Sequence, residues 1–250
     1  MIKPITAKDF GQSPNPWVVK PVILASGGLD SFLLWYLFRQ DALNVFVNIG
    51  HKYKRKEERA LKNLMIEIPD FYVKEHRGSL IGALEDKESG IIPNRNAELI
   101  LSAAQYGEWI YFGVIKDEIN SDKSPEFIKA MEDVLNISNR KQYWTEGKTF
   151  KILTPTKEYN KTELIKMYLE KGGLVEHLEL TVSCYSDTEQ HCGDCPSCFK
   201  RWIAFKNNDI PFVTINDPMD FAHKQGILEK CTDGTYADGR ADEILTALRK

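Results

Sequence analysis

Apolar positions along this chain alternate between short solid runs and longer spans at helical spacing. Val22-Ile23-Leu24-Ala25 is a solid run and predicts a buried strand over 17–25, while Phe32 to Leu37 sits inside a helix predicted from Leu29 to Gln40. Asn44 to Gly50, rich in β-branched and aromatic residues, predicts a second strand. Ala60, Leu61, Leu64, Met65 and Ile68 recur near helical spacing, so 56–67 predicts a second helix. Strands are expected at 71–73, 109–114 and 150–153, with 78–93 and 116–124 as loops. Helices are expected at 96–106, from Pro125 behind a Ser124 cap, and at 160–171 before a Gly172-Gly173 stop. This rhythm predicts an α/β fold with a mainly parallel, doubly wound sheet, whose ligands sit at the carboxyl ends of its strands.

Composition narrows the class. A length of 250 residues suits one large domain with appendages, and 42% hydrophobic residues supply a substantial core. The net charge of −3 gives no global pull toward nucleic acid. Met1-Ile2-Lys3-Pro4 leads into polar sequence and no apolar run reaches membrane-spanning length, so a cytoplasmic protein with no membrane partner is expected. The one basic run, His51-Lys52-Tyr53-Lys54-Arg55-Lys56, could face phosphate or nucleic acid. It is read instead as a solvated face balanced by Glu57 and Glu58. Trp35 and Tyr36 are read as core or interface aromatics.

Candidate chemistry begins at Ser26-Gly27-Gly28-Leu29-Asp30-Ser31, between the first strand and the first helix. Glycines there let a ligand approach the backbone, and the helix start offers unpaired N–H groups and a positive dipole end, which suits phosphate. Ser26 and Ser31 add hydroxyls, and Asp30 either holds Mg²⁺ or caps the helix. The common P-loop is excluded because no lysine stands inside the turn. The spelling resembles the pyrophosphatase loop of enzymes that split ATP into AMP and pyrophosphate; a plain glycine-rich turn is the alternative.

Four of the five cysteines, Cys184, Cys192, Cys195 and Cys198, fall within fifteen residues, while Cys231 stands apart. Four thiolates fill a tetrahedral zinc site and leave no open position for water, so a structural metal is expected. It would tie a strand end near Thr181 to a helix beginning at Phe199. Free thiols, a redox pair and an iron–sulfur cluster are the alternatives.

Together the two motifs, with Phe199-Lys200-Arg201 behind the second, resemble the QueC family of 7-cyano-7-deazaguanine (preQ0) synthases. Ile92-Pro93-Asn94-Arg95-Asn96 resembles the family's Val-Pro-Gly-Arg-Asn, and the helix after it ends in the pair Ala103-Ala104. Thr154-Pro155, Lys161-Thr162-Glu163 and Thr181-Val182-Ser183-Cys184-Tyr185 also match family patterns, over about 21–210. The resemblance implies an adenine-nucleotide alpha-hydrolase-like fold with a small four-cysteine zinc-binding subdomain. The implied organisation is an extension at 1–16, an ATP-binding domain at 17–180, a zinc segment with its helix at 181–212, and a tail at 213–250 with one short helix near 241–248.

It further implies an ATP-dependent ligase joining 7-carboxy-7-deazaguanine and ammonia, as a homodimer, with no direct nucleic-acid partner. Ala25, Ser26, Gly27, Gly28, Leu29, Asp30 and Ser31 would form the ATP and Mg²⁺ site, and Asp30, Ser31, Arg95 and Lys161 would act in the chemistry. Surface or ion-pair roles are the alternatives for Arg95 and Lys161. The rival functions are a QueC-like ligase acting on another carboxylate, such as a protein terminus in phage defence, a tRNA-modifying enzyme on the same fold, and a non-catalytic nucleotide-binding module. Three departures stand out. Asn94 replaces the family's glycine, Ile115 to Asp122 replaces a longer loop with Tyr-Pro-Asp-Cys, and the C-terminal tail is longer than is usual for the family.

Overall fold

The structure, a computed structural model, describes residues 21–87, 90–119, 121–186 and 188–250. The expected 1–16 extension and the 17–20 start of the predicted first strand lie outside the described residues. Among the described residues five strands form one sheet: β1 (Pro21–Leu24), β2 (Leu43–Asn48), β3 (Val73–Arg77), β4 (Trp109–Tyr111) and β5 (Lys151–Leu153). Their order is β3-β2-β1-β4-β5 and every pairing is parallel. Val22 pairs with Leu43 on one side and with Ile110 on the other. The chain therefore winds outward from β1 in one direction and resumes in the other at β4. The carboxyl ends of β1 and β4 flank the switch point, where such sheets bind ligands.

Both faces of β1 are buried, which explains its unbroken apolar run. Ile23 points into a core with Phe32 and Leu33 of α1 (Leu29–Phe38), Leu64 of α2 (Lys54–Glu67), and Leu164 and Tyr168 of α5 (Lys161–Glu170). Val22 and Leu24 point the other way, toward Ile100 of α3 (Arg95–Ala103) and Leu135 of α4 (Pro125–Ser138). Each fully buried Leu, Ile or Phe contributes roughly 1.5–3 kcal/mol to this double core. Ser124 caps α4 as expected, accepting from the Phe127 N–H at 3.1 Å.

The structure differs from the sequence expectation in several of its elements. β3 lies at Val73–Arg77 rather than at 71–73; it is a polar edge strand, and the apolar Phe71 before it packs into the core. A short helix, α6 (Val175–Glu179), follows the Gly172-Gly173 stop. The tail carries three helices where one was expected: α8 (Pro218–Lys224), α9 (Ile227–Thr232) and α10 (Asp238–Arg249). They fold back on α7 (Pro196–Asn207), burying Phe199 and Ile203 against Phe221, Ile227, Ile244 and Ala247. Helices of six or seven residues are too short to declare a period in the sequence. Among the described residues no helix is long and apolar enough to cross a membrane.

Candidate functional site

The turn after β1 is built around Gly27, whose φ of +68° places it in the left-handed region. A Cβ at Gly27 would lie 2.8 Å from the Glu57 carbonyl oxygen of α2, so both conformation and space demand glycine. Gly28 is the N-cap of α1, and no side chain caps that helix. Ser31 Oγ donates to the Gly28 carbonyl at 3.1 Å and accepts from the Ser26 N–H at 3.2 Å. Ser26 Oγ accepts from the Gly28 N–H at 3.3 Å. The first amides of α1 and its dipole thus open between two serines, beside Ala25 and Leu29, on the β1 side of the switch point.

Asp30 does not cap α1, which corrects one of its two expected roles. Both of its carboxylate oxygens accept from Lys161 Nζ, at 2.7 and 2.9 Å. Lys161 opens α5, where Asn160 and Glu163 form a reciprocal capping box, each accepting from the other's backbone N–H at 2.8 Å. The Lys-x-Glu spelling therefore has a local reason: the glutamate fixes the helix start and the lysine projects to the loop. Burial alone would lower the Lys161 pKa, but the Asp30 and Glu118 carboxylates outweigh it and raise it.

These groups border a cavity of about 220 Å³. Phe46, Val47 and Ile49 supply an apolar wall at the end of β2, and Phe112 and Gly113 continue it after β4. Lys56, Arg95, Lys123, Lys161 and Lys200 bring cations to it, against the carboxylates of Asp30, Glu57 and Glu118. Arg95 enters because Asn94, at φ +58°, makes the left-handed turn that opens α3. Its Nη1 donates to Tyr53 Oη at 3.1 Å. Burial pushes the Tyr53 phenol up to about 12, with Arg95 opposing.

The basic run is corrected here. Lys52 and Arg55 are exposed, but His51, Tyr53 and Lys56 are buried and line the cavity. His51 Nε2 meets Glu57 Oε2 at 2.9 Å, and burial pushes the Glu57 carboxyl up despite that histidine. Composition missed these three residues. The signal was their spacing, with 51, 53 and 56 turning inward while 52 and 55 turn out.

Glu118 was also missed. It lies on a 3₁₀ turn after β4, inside the segment that departs from the family pattern. Its Oε1 accepts from Lys200 Nζ and its Oε2 from Lys123 Nζ, both at 2.9 Å. Burial alone would raise its pKa; Lys161, Lys123 and Lys200 outweigh that and hold the carboxyl well below the usual range.

The sulfurs of Cys184, Cys192, Cys195 and Cys198 all lie within 4.8 Å of one another, with Cys192 and Cys198 3.9 Å apart. Tetrahedral thiolates about 2.3 Å from zinc stand about 3.8 Å apart, so the four can hold one metal ion. Gly193, at φ +75°, lets the chain turn between them, and a Cβ there would strike the Asn216 carbonyl. The following helix begins at Pro196, not Phe199, with Cys195 as its N-cap. Arg201, fully buried in that helix, donates to the carbonyls of Leu178 at 2.5 Å and Thr181 at 3.1 Å. Beyond Thr181 the chain pairs with the glycine loop: Val182 N donates to the Gly27 carbonyl at 2.9 Å. The predicted metal segment and the predicted phosphate loop are thus brought together, and Cys184 and Tyr185 form part of the cavity wall.

A five-stranded parallel sheet, a glycine loop at its switch point and a four-cysteine cluster beside that loop define a parallel α/β protein whose cysteines could hold a metal ion. Residues 82–209 match the sequence profile described as Queuosine biosynthesis protein QueC, and the chain belongs to the QueC family. It is 30% identical over 232 residues to a 7-cyano-7-deazaguanine synthase of Methanospirillum hungatei JF-1, covering 81% of this chain and 100% of that protein. It is 28% identical over 216 residues to a 7-cyano-7-deazaguanine synthase of Acetivibrio thermocellus, covering 76% of this chain and 95% of that protein. Among solved structures it is similar to the U34-tRNA thiolase NcsA from Methanococcus maripaludis with its [4Fe-4S] cluster. That likeness has a TM-score of 0.38 and 15% identity, over 68% of this chain and 61% of the thiolase.

Proposed function

We infer that this protein is an ATP-dependent ligase that converts 7-carboxy-7-deazaguanine and ammonia to 7-cyano-7-deazaguanine. The observation that carries this reading is the uncapped start of α1 at the switch point, with the Asp30–Lys161 pair beside it. A carboxylate resists nucleophiles until one of its oxygens is bonded to a good leaving group. Attack of that oxygen on the α-phosphorus of ATP gives an acyl adenylate and pyrophosphate; ammonia then displaces AMP and leaves an amide. A second adenylation, on the amide oxygen, permits loss of AMP to the nitrile.

For this chemistry the chain supplies position and charge. Ser26, Gly27, Gly28 and Ser31 receive the phosphates. Lys161, oriented by Asp30, offers a point charge, and Arg95 a planar fork that trades its Tyr53 partner for an oxyanion. Phe46, Val47 and Ile49 provide an apolar seat for the adenine. Asp30, inside the loop itself, is the carboxylate offered to a Mg²⁺ ion, which would neutralise phosphate charge when bound. Zinc is the proposed occupant of the four cysteines, in a structural role. A homodimer in the cytoplasm completes the reading.

The test is incubation with ATP, Mg²⁺, ammonia and 7-carboxy-7-deazaguanine, followed by mass spectrometry and metal analysis. The nitrile, AMP and about one zinc per chain are expected from a filled four-cysteine site. Iron in place of zinc overturns the metal assignment, and absence of both amide and nitrile overturns the substrate assignment.

A further inference from the structure

Glu118 is held as a bound anion would be. Each of its two carboxylate oxygens accepts from a different lysine: Oε1 from Lys200 on α7, Oε2 from Lys123 ahead of α4. All three side chains border the same cavity as the apolar Phe46, Val47 and Ile49. Glu118 and Lys123 are about one-fifth exposed and Lys200 about two-fifths, so a ligand in the cavity can reach them. Two half-buried ammonium groups converging on one point need a counter-ion. Glu118 supplies it. The turn that carries it, Lys116–Glu118, is short and belongs to the segment that departs from the family pattern.

We propose that Lys123 and Lys200 are the recognition pair for the carboxylate of the acceptor substrate, and that Glu118 is the internal anion which that carboxylate displaces. The proposal rests on the functional reading given above, because it takes the acceptor to be a planar heterocyclic carboxylate. One carboxylate replaces another, so the count of ion pairs is conserved and the lysines are never left uncompensated. Glu118 then tunes selectivity. A heterocycle of the same shape with no acceptor oxygen at this point has nothing to offer the lysines and meets a closed pair, whereas a carboxylate exchanges with it and the amide formed from that carboxylate keeps one oxygen to accept from them. The competition lowers apparent affinity by the fraction of time that Glu118 holds the pair.

An anionic group at this pair could also be a phosphate of the nucleotide, and the experiment separates the two sources. Binding of 7-carboxy-7-deazaguanine, and separately of ATP, is measured by calorimetry on the full chain and on Glu118→Gln, Lys123→Met and Lys200→Met. KM for each substrate is measured alongside, with melting temperature as a folding control. Glu118→Gln is expected to tighten binding of the carboxylate about tenfold. Each lysine variant is expected to weaken it about tenfold while changing ATP binding by less than about twofold. Weaker carboxylate binding in Glu118→Gln overturns the proposal, since Glu118 would then contact the substrate itself. Loss of ATP binding in the lysine variants also overturns it, by assigning the pair to phosphate. No turnover by the parent protein, with the binding pattern intact, would overturn the functional reading and leave the recognition pair standing. Turnover without that pattern would do the reverse.

Discussion

Val182 donates its backbone N–H to the carbonyl of Gly27 at 2.9 Å, two residues before Cys184, so the cysteine cluster and the glycine loop share a hydrogen-bonded join. Arg201 reinforces that join from the helix behind, holding Thr181 by its carbonyl at 3.1 Å and its hydroxyl at 2.8 Å. A metal ion that fixes Cys184 therefore also fixes one wall of the loop.

Metal removal is expected to weaken nucleotide binding as well as stability. Chelated protein that remains folded should bind a non-hydrolysable ATP analogue about tenfold more weakly, and by linkage the analogue should tighten metal retention by the same factor. Calorimetry with and without chelator measures this. Equal affinity in both forms would show that the join transmits nothing.

Gly27→Ala is expected to destabilise the chain by about 2–3 kcal/mol, combining left-handed strain with the close approach to the Glu57 carbonyl. Denaturant unfolding gives the value. A cost below about 0.5 kcal/mol would contradict the tight packing of α2 on the loop.

Lys161→Met leaves the Asp30 carboxylate beside the cavity without its partner and is expected to cost about 2 kcal/mol. Adding Asp30→Asn should recover most of that stability without restoring turnover. A double variant that is both stable and active would remove this pair from the chemistry.

Much of this architecture was legible in the sequence because burial on both faces writes itself as a solid apolar run, as in Val22 to Ala25. The loop was legible because few residues other than glycine satisfy Gly27, and the convergence of the four sulfurs because Cys-x-x-Cys turns at such short spacing bring them together. Asn94, which stands where the family pattern has glycine, adopts a left-handed conformation. What stayed hidden was polar. β3 is an edge strand spelled Val73-Lys74-Glu75-His76-Arg77, and edge strands need little apolar surface. Lys56, Glu118 and Lys200 are charged residues that composition assigns to solvent. Only the fold brings residues so far apart in sequence to one cavity.

The Glu118 ion pairs set a pH dependence. Its carboxyl is held below the usual range, so as pH falls the unfolded chain takes up a proton that the folded chain still refuses. The stabilisation is complete above the ordinary carboxylate range and is lost progressively below it. Glu118→Gln is expected to be less stable at neutral pH and to show a flatter decline of melting temperature between about pH 5 and pH 3. Parallel declines in parent and variant would place Glu118 outside the lysine pair.

The most direct measurement follows the oxygen atoms. With both carboxylate oxygens of 7-carboxy-7-deazaguanine replaced by ¹⁸O, each adenylation carries one labelled oxygen to phosphorus and each displacement releases it in AMP. Two molecules of AMP, each bearing one ¹⁸O, are expected for every nitrile formed. Label appearing in water or in pyrophosphate, or unlabelled AMP accompanying the nitrile, would contradict a carboxylate activated by adenylation at the Ser26–Ser31 loop.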